Sequence, residues 1–187
     1  MPREISPTEA RARLATAQRV LVFGVSGGGK STLSASIERA YGLPHTSIDR
    51  DIRWLPGWQL RDRAEQRKLT EGFVAQDRWV IDGTTVSTFD LRVPRADLAI
   101  WVRVSRARAL WQLTKRVWGS YGQVRPDMAE GCPEQLPDRE FLHWIWTFEA
   151  KQGPRIQAAL ERYGPELSLV TLRAPSEFRE LMDDRAP

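Results

Sequence analysis

The sequence predicts an α/β fold in three layers, in which a five-stranded parallel sheet has helices on both faces and carries a small helical lid. Short apolar runs alternate along the chain with segments of helical periodicity, and this alternation requires parallel strands joined by right-handed crossovers. The 187 residues, of which 41% are hydrophobic, are enough for one core but few for two. We therefore expect a single domain over residues 1–187.

The first element is a predicted helix over residues 7–17. Ser6-Pro7-Thr8-Glu9 matches a capping box with proline in the first turn, so residues 1–18 form an N-terminal addition to the sheet. Apolar runs then predict strands at 19–23, 45–48, 78–82, 98–102 and 167–172. Helical periodicity and flanking glycines or prolines predict helices at 31–41, 62–76, 105–118, 141–148, 154–163 and 176–182.

A glycine-rich turn joins the first predicted strand of the sheet to the following helix. Residues 24–32 fit the phosphate-binding pattern G-x-x-x-x-G-K-[ST]. Glycines let successive backbone N–H groups surround an anion, lysine brings a cation to the β and γ phosphates, and the serine hydroxyl can bind Mg²⁺. The fold is then a P-loop NTPase fold, and ATP and Mg²⁺ are the expected cofactors. The predicted nucleotide-binding residues are Gly24, Ser26, Gly27, Gly28, Gly29, Lys30, Ser31 and Thr32.

Two alternatives to a phosphate-binding turn are weaker. The dinucleotide pattern G-x-G-x-x-G fails, because Ser26 occupies the place of its second glycine. A turn that carries a lysine by accident would not also need a strand before it and a helix after it.

Two aspartates follow the second and third predicted strands. The carboxyl ends of parallel strands meet at one edge of a sheet, so Asp49 and Asp82 should both face the phosphate loop. Asp82 is predicted to hold Mg²⁺ together with Ser31, and Asp49 to act as a base or to orient an acceptor hydroxyl or phosphate. The alternative for each is an ordinary turn aspartate.

Two segments are predicted to cover the ligands. Residues 50–77 contain a proline-glycine turn and a charged helix, which we expect to form an acceptor-side insertion. Residues 119–152 form the predicted lid region, because 119–138 is long and irregular. Arg92, Arg116 and Arg125 are predicted to contact the phosphates, because an arginine that closes over the site can stabilise a transferring phosphoryl group. The alternative for each of them is an ordinary solvated arginine on the surface.

The predicted catalytic residues are Lys30, Asp49, Arg92, Arg116 and Arg125.

Composition limits the remaining classes of function. The net charge is +4, but the basic residues are scattered among 24 acidic ones without a basic stripe, so a nucleic-acid partner is only weakly supported. The single Cys132 and two histidines offer no zinc site. No apolar run reaches the roughly 18 residues of a membrane span, and no signal peptide is visible, so we expect a cytoplasmic protein.

Besides the phosphate loop, the sequence contains Ile48-Asp49, Trp54-x-Pro-Gly-Trp58, Trp79-Val-Ile-Asp-Gly83, Ala96-Asp97 with its apolar strand, Tyr121-Gly-x-x-Arg125-Pro-Asp-Met-Ala-Glu-Gly-Cys-Pro-Glu134 and the aromatic stretch around Trp144-Ile-Trp146. These segments resemble the adenylate-kinase-related proteins known as DNA topology modulation proteins. The resemblance covers roughly residues 19–182 and is most specific in the Trp-x-Pro-Gly-Trp and Arg-Pro-Asp-Met segments. It implies a nucleoside-monophosphate-kinase-like fold with an insertion after the second strand and an arginine-bearing lid. Thr84-Thr85 departs from that group's Asn-Tyr.

The leading hypothesis is a nucleotide-kinase-like phosphotransferase that moves the γ-phosphoryl group of ATP to a small acceptor. The rival is a nucleotide-dependent regulatory ATPase or DNA topology modulator without such an acceptor. ATP is preferred to GTP, because the guanine-reading pattern Asn-Lys-x-Asp is absent. The acceptor and the oligomeric state stay open.

Overall fold

The protein has a parallel central sheet between two layers of helices, as the sequence predicts. The structure is a computed structural model that describes residues 1–182. Six strands lie in the order β1-β8-β7-β2-β6-β3, and every neighbouring pair is parallel. A separate antiparallel hairpin is formed by β4 and β5. The strands are β1 (Arg3–Glu4), β2 (Arg19–Gly24), β3 (His45–Ser47), β4 (Trp54–Leu55), β5 (Gln59–Leu60), β6 (Trp79–Asp82), β7 (Leu98–Val102) and β8 (Ser168–Leu172).

The sheet has one strand more than the predicted five. Arg3 N–H donates to Leu167 O at 2.9 Å and Ile5 N–H donates to Leu169 O at 2.8 Å, so β1 extends the sheet beyond β8. Its two exposed, charged residues show no alternation of apolar and polar positions. Periodicity therefore gave no signal for this strand.

The helices surround the sheet as α1 (Pro7–Leu14), α2 (Lys30–Tyr41), α3 (Arg63–Val74), α4 (Phe89–Arg92), α5 (Arg106–Ser120), α6 (Arg139–Tyr163) and α7 (Pro175–Met182). Helix α7 contacts both α1 and α2, whereas α4 contacts α3 and α6, and α6 also contacts α5. The strands between them are buried on both faces, as β6, β7 and β8 show along their full length. No helix within residues 1–182 combines the length and the apolar character of a membrane span.

The prediction of two helices at 141–148 and 154–163 is wrong, since α6 runs through both as one helix of 25 residues. Pro154 lies inside it, where proline removes a backbone hydrogen bond. The buried side chains Ile145, Phe148, Ile156 and Leu160 keep one apolar face across this point. Continuous packing of that face outweighs the local break.

The register of the sheet aligns the carboxyl ends that carry the predicted site. Asp82 pairs with Val22 of β2 on one side and with Ser47 of β3 on the other, while Gly24 pairs with Val102. The phosphate loop, the end of β3 and the end of β6 therefore open onto the same edge.

The β4-β5 hairpin packs against an irregular stretch of the predicted lid region. We call residues 54–60 the hairpin segment and residues 121–134 the lid segment. Trp54 and Trp58 pack on a small apolar cluster of Met128, Ala129 and Cys132. Trp58 Nε1 donates to Pro133 O at 3.1 Å, and Gly57 N–H donates to Gly131 O at 3.1 Å. The two segments thus form one surface beside the site.

Candidate functional site

The loop between β2 and α2 has a backbone that requires glycine. Gly24 has φ +136°, and an added Cβ would lie 1.9 Å from the Val102 carbonyl oxygen of the neighbouring strand. Gly29, at the start of α2, has φ +92°. Side chains other than hydrogen are strained at such angles, so these two glycines allow the chain to turn tightly into the helix.

The N-terminus of α2 is left without a protein cap. Side chains cap α1, α3, α5 and α6 through Ser6, Asp62, Ser105 and Asp138. In contrast, α2 starts after Gly29 with no side-chain cap and no acidic residue in its first turn. Unpaired N–H groups and the positive end of the helix dipole favour an anion at this position.

Lys30 lies at this helix start, half-buried and close to carboxylates. Its Nζ donates to the Val25 carbonyl oxygen at 2.9 Å, across the loop. Burial lowers the pKa of Lys30, although the charges of Asp82 and Asp49 act in the opposite direction. The ammonium group is therefore held on the loop with two carboxylates near it.

Asp82 is buried at the end of β6 and is surrounded by donors. His45 Nε2 lies 3.3 Å from Asp82 Oδ2, and the Ser31 hydroxyl also hydrogen-bonds this carboxylate. Burial alone would raise the pKa of Asp82, but the hydrogen bond and charge of His45, the charge of Lys30 and the Ser31 hydrogen bond together lower it. Asp82 is therefore an ionised carboxylate beside a hydroxyl, the kind of oxygen pair that suits Mg²⁺.

His45 is a site residue that sequence reasoning missed. It begins β3 and pairs with Val80 in the register, two residues before Asp82. Only the position of β3 beside β6 brings its imidazole to the carboxylate. No sequence pattern predicts the contact between His45 and Asp82, because the two residues are far apart in the chain.

Asp49 follows β3, and its surroundings differ from those of Asp82. The residue is exposed, and the protein around its carboxyl group still removes part of the hydration of that group. This desolvation raises the pKa of Asp49, against the charges of Arg53 and Lys30. A carboxylate whose proton affinity is raised in this way suits a general base.

Thr84 fastens the loop after β6 to the start of the phosphate loop. Gly24 N–H donates to Thr84 Oγ1 at 2.7 Å, and Thr84 Oγ1 donates to Gly24 O at 2.7 Å. The hydroxyl thus satisfies both backbone groups of a buried glycine. Thr84 is one of the two residues at which this sequence differs from the Asn-Tyr of the DNA topology modulation proteins.

Replacing Thr84 with valine removes the hydroxyl but keeps the shape of the side chain. Because two buried backbone groups lose their partner, we expect the free energy of unfolding to fall by about 1–2 kcal/mol in denaturant titration. Thr85→Val is the matched control, since the structure of residues 1–182 shows hydrogen bonds for the Thr85 carbonyl but none for its side chain. Equal stabilities of the two variants would contradict this role.

Arg92 is 0% exposed, and its guanidinium is engaged by the loop after β6. It donates to Gly83 O at 2.9 Å, to Thr85 O at 2.7 Å and to Thr88 Oγ1 at 3.1 Å. Burial lowers its pKa to about 9. In this structure Arg92 supports the loop that carries Thr84, and contact with an acceptor would first require the loss of these bonds.

Arg92→Ala would remove the guanidinium donor from the buried Gly83 carbonyl oxygen and one of the donors to the Thr85 carbonyl oxygen, which keeps its bonds from Thr88. We expect the free energy of unfolding to fall by about 2 kcal/mol, measured by urea denaturation. Arg95→Ala provides the control, because Arg95 is exposed and only its contact with Val74 O at 3.2 Å is lost. An Arg92→Ala variant as stable as Arg95→Ala would show that the buried bonds contribute little.

The two remaining predicted arginines meet in the lid segment. Glu134 accepts from Arg125 Nε at 2.6 Å and from Arg116 Nη2 at 3.0 Å, and Asp127 accepts from Arg125 Nη1 at 2.8 Å. Burial, with the neighbouring Arg125 charge, lowers the pKa of Arg116 against the pull of Glu134. Arg116 and Asp127 both influence Lys30 electrostatically, so this network faces the phosphate loop.

Comparison with known proteins shows the fold. No family model and no curated protein matches the chain. Shikimate kinase from Acinetobacter baumannii, solved with shikimate, matches with a TM-score of 0.57 and 11% identity, over 92% of this chain and 93% of that one. Shikimate kinase from Bacteroides thetaiotaomicron matches with a TM-score of 0.52 and 16% identity, over 90% and 95%. The predicted three-layer α/β fold is confirmed, and these two kinases share it.

Proposed function

We propose that the chain binds ATP with Mg²⁺ and transfers the γ-phosphoryl group to the hydroxyl group of a small acceptor. One observation carries the proposal: the uncapped start of α2, with Lys30 on it, opens onto the sheet edge where Asp82 and Asp49 lie. An anion site, a cation and two carboxylates in different electrostatic states are the groups that phosphoryl transfer needs.

The proposed roles follow from the geometry. Amides of residues 27–32 bind the phosphates, and Lys30 leaves the Val25 carbonyl to contact the transferring group. Ser31 and Asp82 would hold Mg²⁺, which neutralises charge on the phosphate oxygens when bound. Asp49 would accept the hydroxyl proton of the acceptor. Arg116 of α5 and Arg125 of the lid segment would add positive charge on the lid side of the phosphates while both stay paired with Glu134.

A coupled assay of ADP release tests this proposal. ATP·Mg²⁺ is mixed with the protein and with a panel of nucleosides, nucleoside monophosphates, sugars and small hydroxyl metabolites. Release that depends on an acceptor supports the kinase. Release without an acceptor that changes on addition of DNA would support the alternative, a regulatory ATPase related to the topology modulation proteins.

Calorimetry with ATP and Mg²⁺ gives a second readout of the same site. We expect heat of association in the unmodified protein. If none is seen, the phosphate loop does not bind nucleotide and both hypotheses fail.

A further inference from the structure

A cavity of about 590 Å³ lies between the hairpin segment and the lid segment. Trp54, Val124 and Met128 supply much of its apolar wall. A cavity of this size, with an aromatic side chain on its wall, fits a small organic molecule.

The cavity adjoins the proposed site of phosphoryl transfer. Arg50, which lines it, directly follows Asp49 and donates to Pro126 O at 3.4 Å. Ser47 Oγ lies 3.5 Å from Asp127 O, so the lid segment rests on the carboxyl end of β3. An acceptor in this cavity would therefore lie beside the carboxyl end of β3, next to the residue that follows Asp49.

Three arginines line the cavity, and each one already has carboxylate partners. Arg50 Nε donates to Asp51 at 2.7 Å, and Arg61 Nη1 donates to Glu65 at 2.5 Å. Arg125 is held by Glu134 at 2.6 Å and by Asp127 at 2.8 Å, as described above. The lining guanidinium groups are thus neutralised within the protein.

The pair at Glu134 is the hardest to open. Glu134 is 6% exposed and accepts from both Arg116 and Arg125. Removing one partner from a buried ion pair is costly, so an incoming anion would have to displace Glu134 from Arg125 and leave this buried carboxylate with Arg116 alone. With Arg116 included, four arginines face four partner carboxylates, so these ion pairs leave no net positive charge.

Glu130 adds a further negative charge at the rim. It lines the cavity, is exposed and forms no ion pair within residues 1–182. The charges around the cavity therefore disfavour a phosphate or carboxylate group on the acceptor.

We infer that the acceptor is a hydroxyl compound that carries no phosphate or carboxylate group. This inference rests on the proposed function and narrows the class of acceptor. Nucleosides, sugars and amino alcohols fit it, whereas nucleoside monophosphates are excluded. In the reaction, the acceptor oxygen bonds to the γ-phosphorus as the bond to the β–γ bridging oxygen breaks. The hydroxyl proton passes to Asp49, and ADP leaves with the electron pair of the broken bond.

Matched pairs of compounds test the acceptor directly. The unmodified protein is assayed for ADP release with adenosine against AMP, cytidine against CMP, and glucose against glucose 6-phosphate. Any compound that stimulates release should be the uncharged member of its pair. A monophosphate that stimulates release above its uncharged partner overturns the inference.

A panel of this kind can miss the natural acceptor, so anion binding is tested as well. Sulfate is titrated calorimetrically, with ADP·Mg²⁺ present, into the unmodified protein and into Glu134→Gln and Asp127→Asn. Each variant removes one carboxylate from Arg125, and we expect sulfate affinity to rise at least tenfold in at least one of them. Glu149→Gln is the control, because it frees Arg103 outside this cavity and should leave sulfate affinity unchanged.

The outcomes separate this inference from the proposed function. If neither variant binds sulfate more tightly than the unmodified protein does, the paired carboxylates do not keep anions out of the cavity and the inference is wrong. If ADP·Mg²⁺ gives no heat, the proposed function fails. The sulfate affinities of the unmodified protein and the two variants can still be compared in that case. Sulfate bound at the empty phosphate loop adds the same heat to each titration.

Discussion

Replacing Lys30 with alanine should lower the turnover of ATP by a factor on the order of 10² to 10³. The variant loses a charge that the protein holds in place beside the phosphate loop, where Nζ now contacts the Val25 carbonyl. Because that charge acts most on the negative oxygens of the transferring group, the rate should fall more than nucleotide affinity. Initial rates and calorimetry on the same preparation measure the two effects.

The control for this experiment is Lys68→Ala. Lys68 is exposed on α3, so its loss changes the net charge equally without touching the loop. We expect the control to retain the parental rate. A Lys30→Ala protein that also retained that rate would remove Lys30 from the mechanism.

Asp49→Asn should reduce kcat/KM by a factor on the order of 10², as is usual when a general base is lost. Desolvation by the surrounding protein raises the pKa of Asp49 above its ordinary value of 3.8. The parental rate should therefore rise with pH as this group ionises, through a pKa above 3.8, and the variant should lose that limb. Asp77→Asn, at an exposed position, is the control and should keep the profile.

The stability of Asp49→Asn gives an independent check with a defined sign. A carboxyl whose pKa is higher in the folded state than in the unfolded chain stabilises the fold below the unfolded pKa, and this advantage is lost as pH rises through the folded pKa. At neutral pH the variant should therefore be at least as stable as the parent in urea. If it were clearly less stable while the rate was unchanged, Asp49 would be a structural turn residue.

Much of the site could be predicted because its signals are local. The glycines that turn the chain before α2 and the residues at the start of that helix are adjacent in sequence, so one short pattern contains them. Asp49 and Asp82 were found because each ends a short apolar run, and parallel strands end at one edge.

The contacts that could not be predicted depend on packing between distant segments. Nothing in the sequence states that Arg92 turns inward to three oxygens or that Glu134 holds two arginines. Arginine is usually exposed, so a pattern-based argument assigns it to a ligand or to the surface. The interior partner becomes visible only when the loop after β6 and the lid segment are placed.

The short strand β1 has a consequence for how the protein behaves at high concentration. β8 is a buried strand of five residues, and without β1 it would expose unpaired backbone groups at the edge of the sheet. β1 covers part of that edge and presents the charged side chains of Arg3 and Glu4, directly after a proline. Charge and proline at an edge oppose pairing with a strand of another molecule. A protein that lacks residues 1–5 should therefore aggregate more readily on concentration or mild heating, even though its nucleotide site is intact.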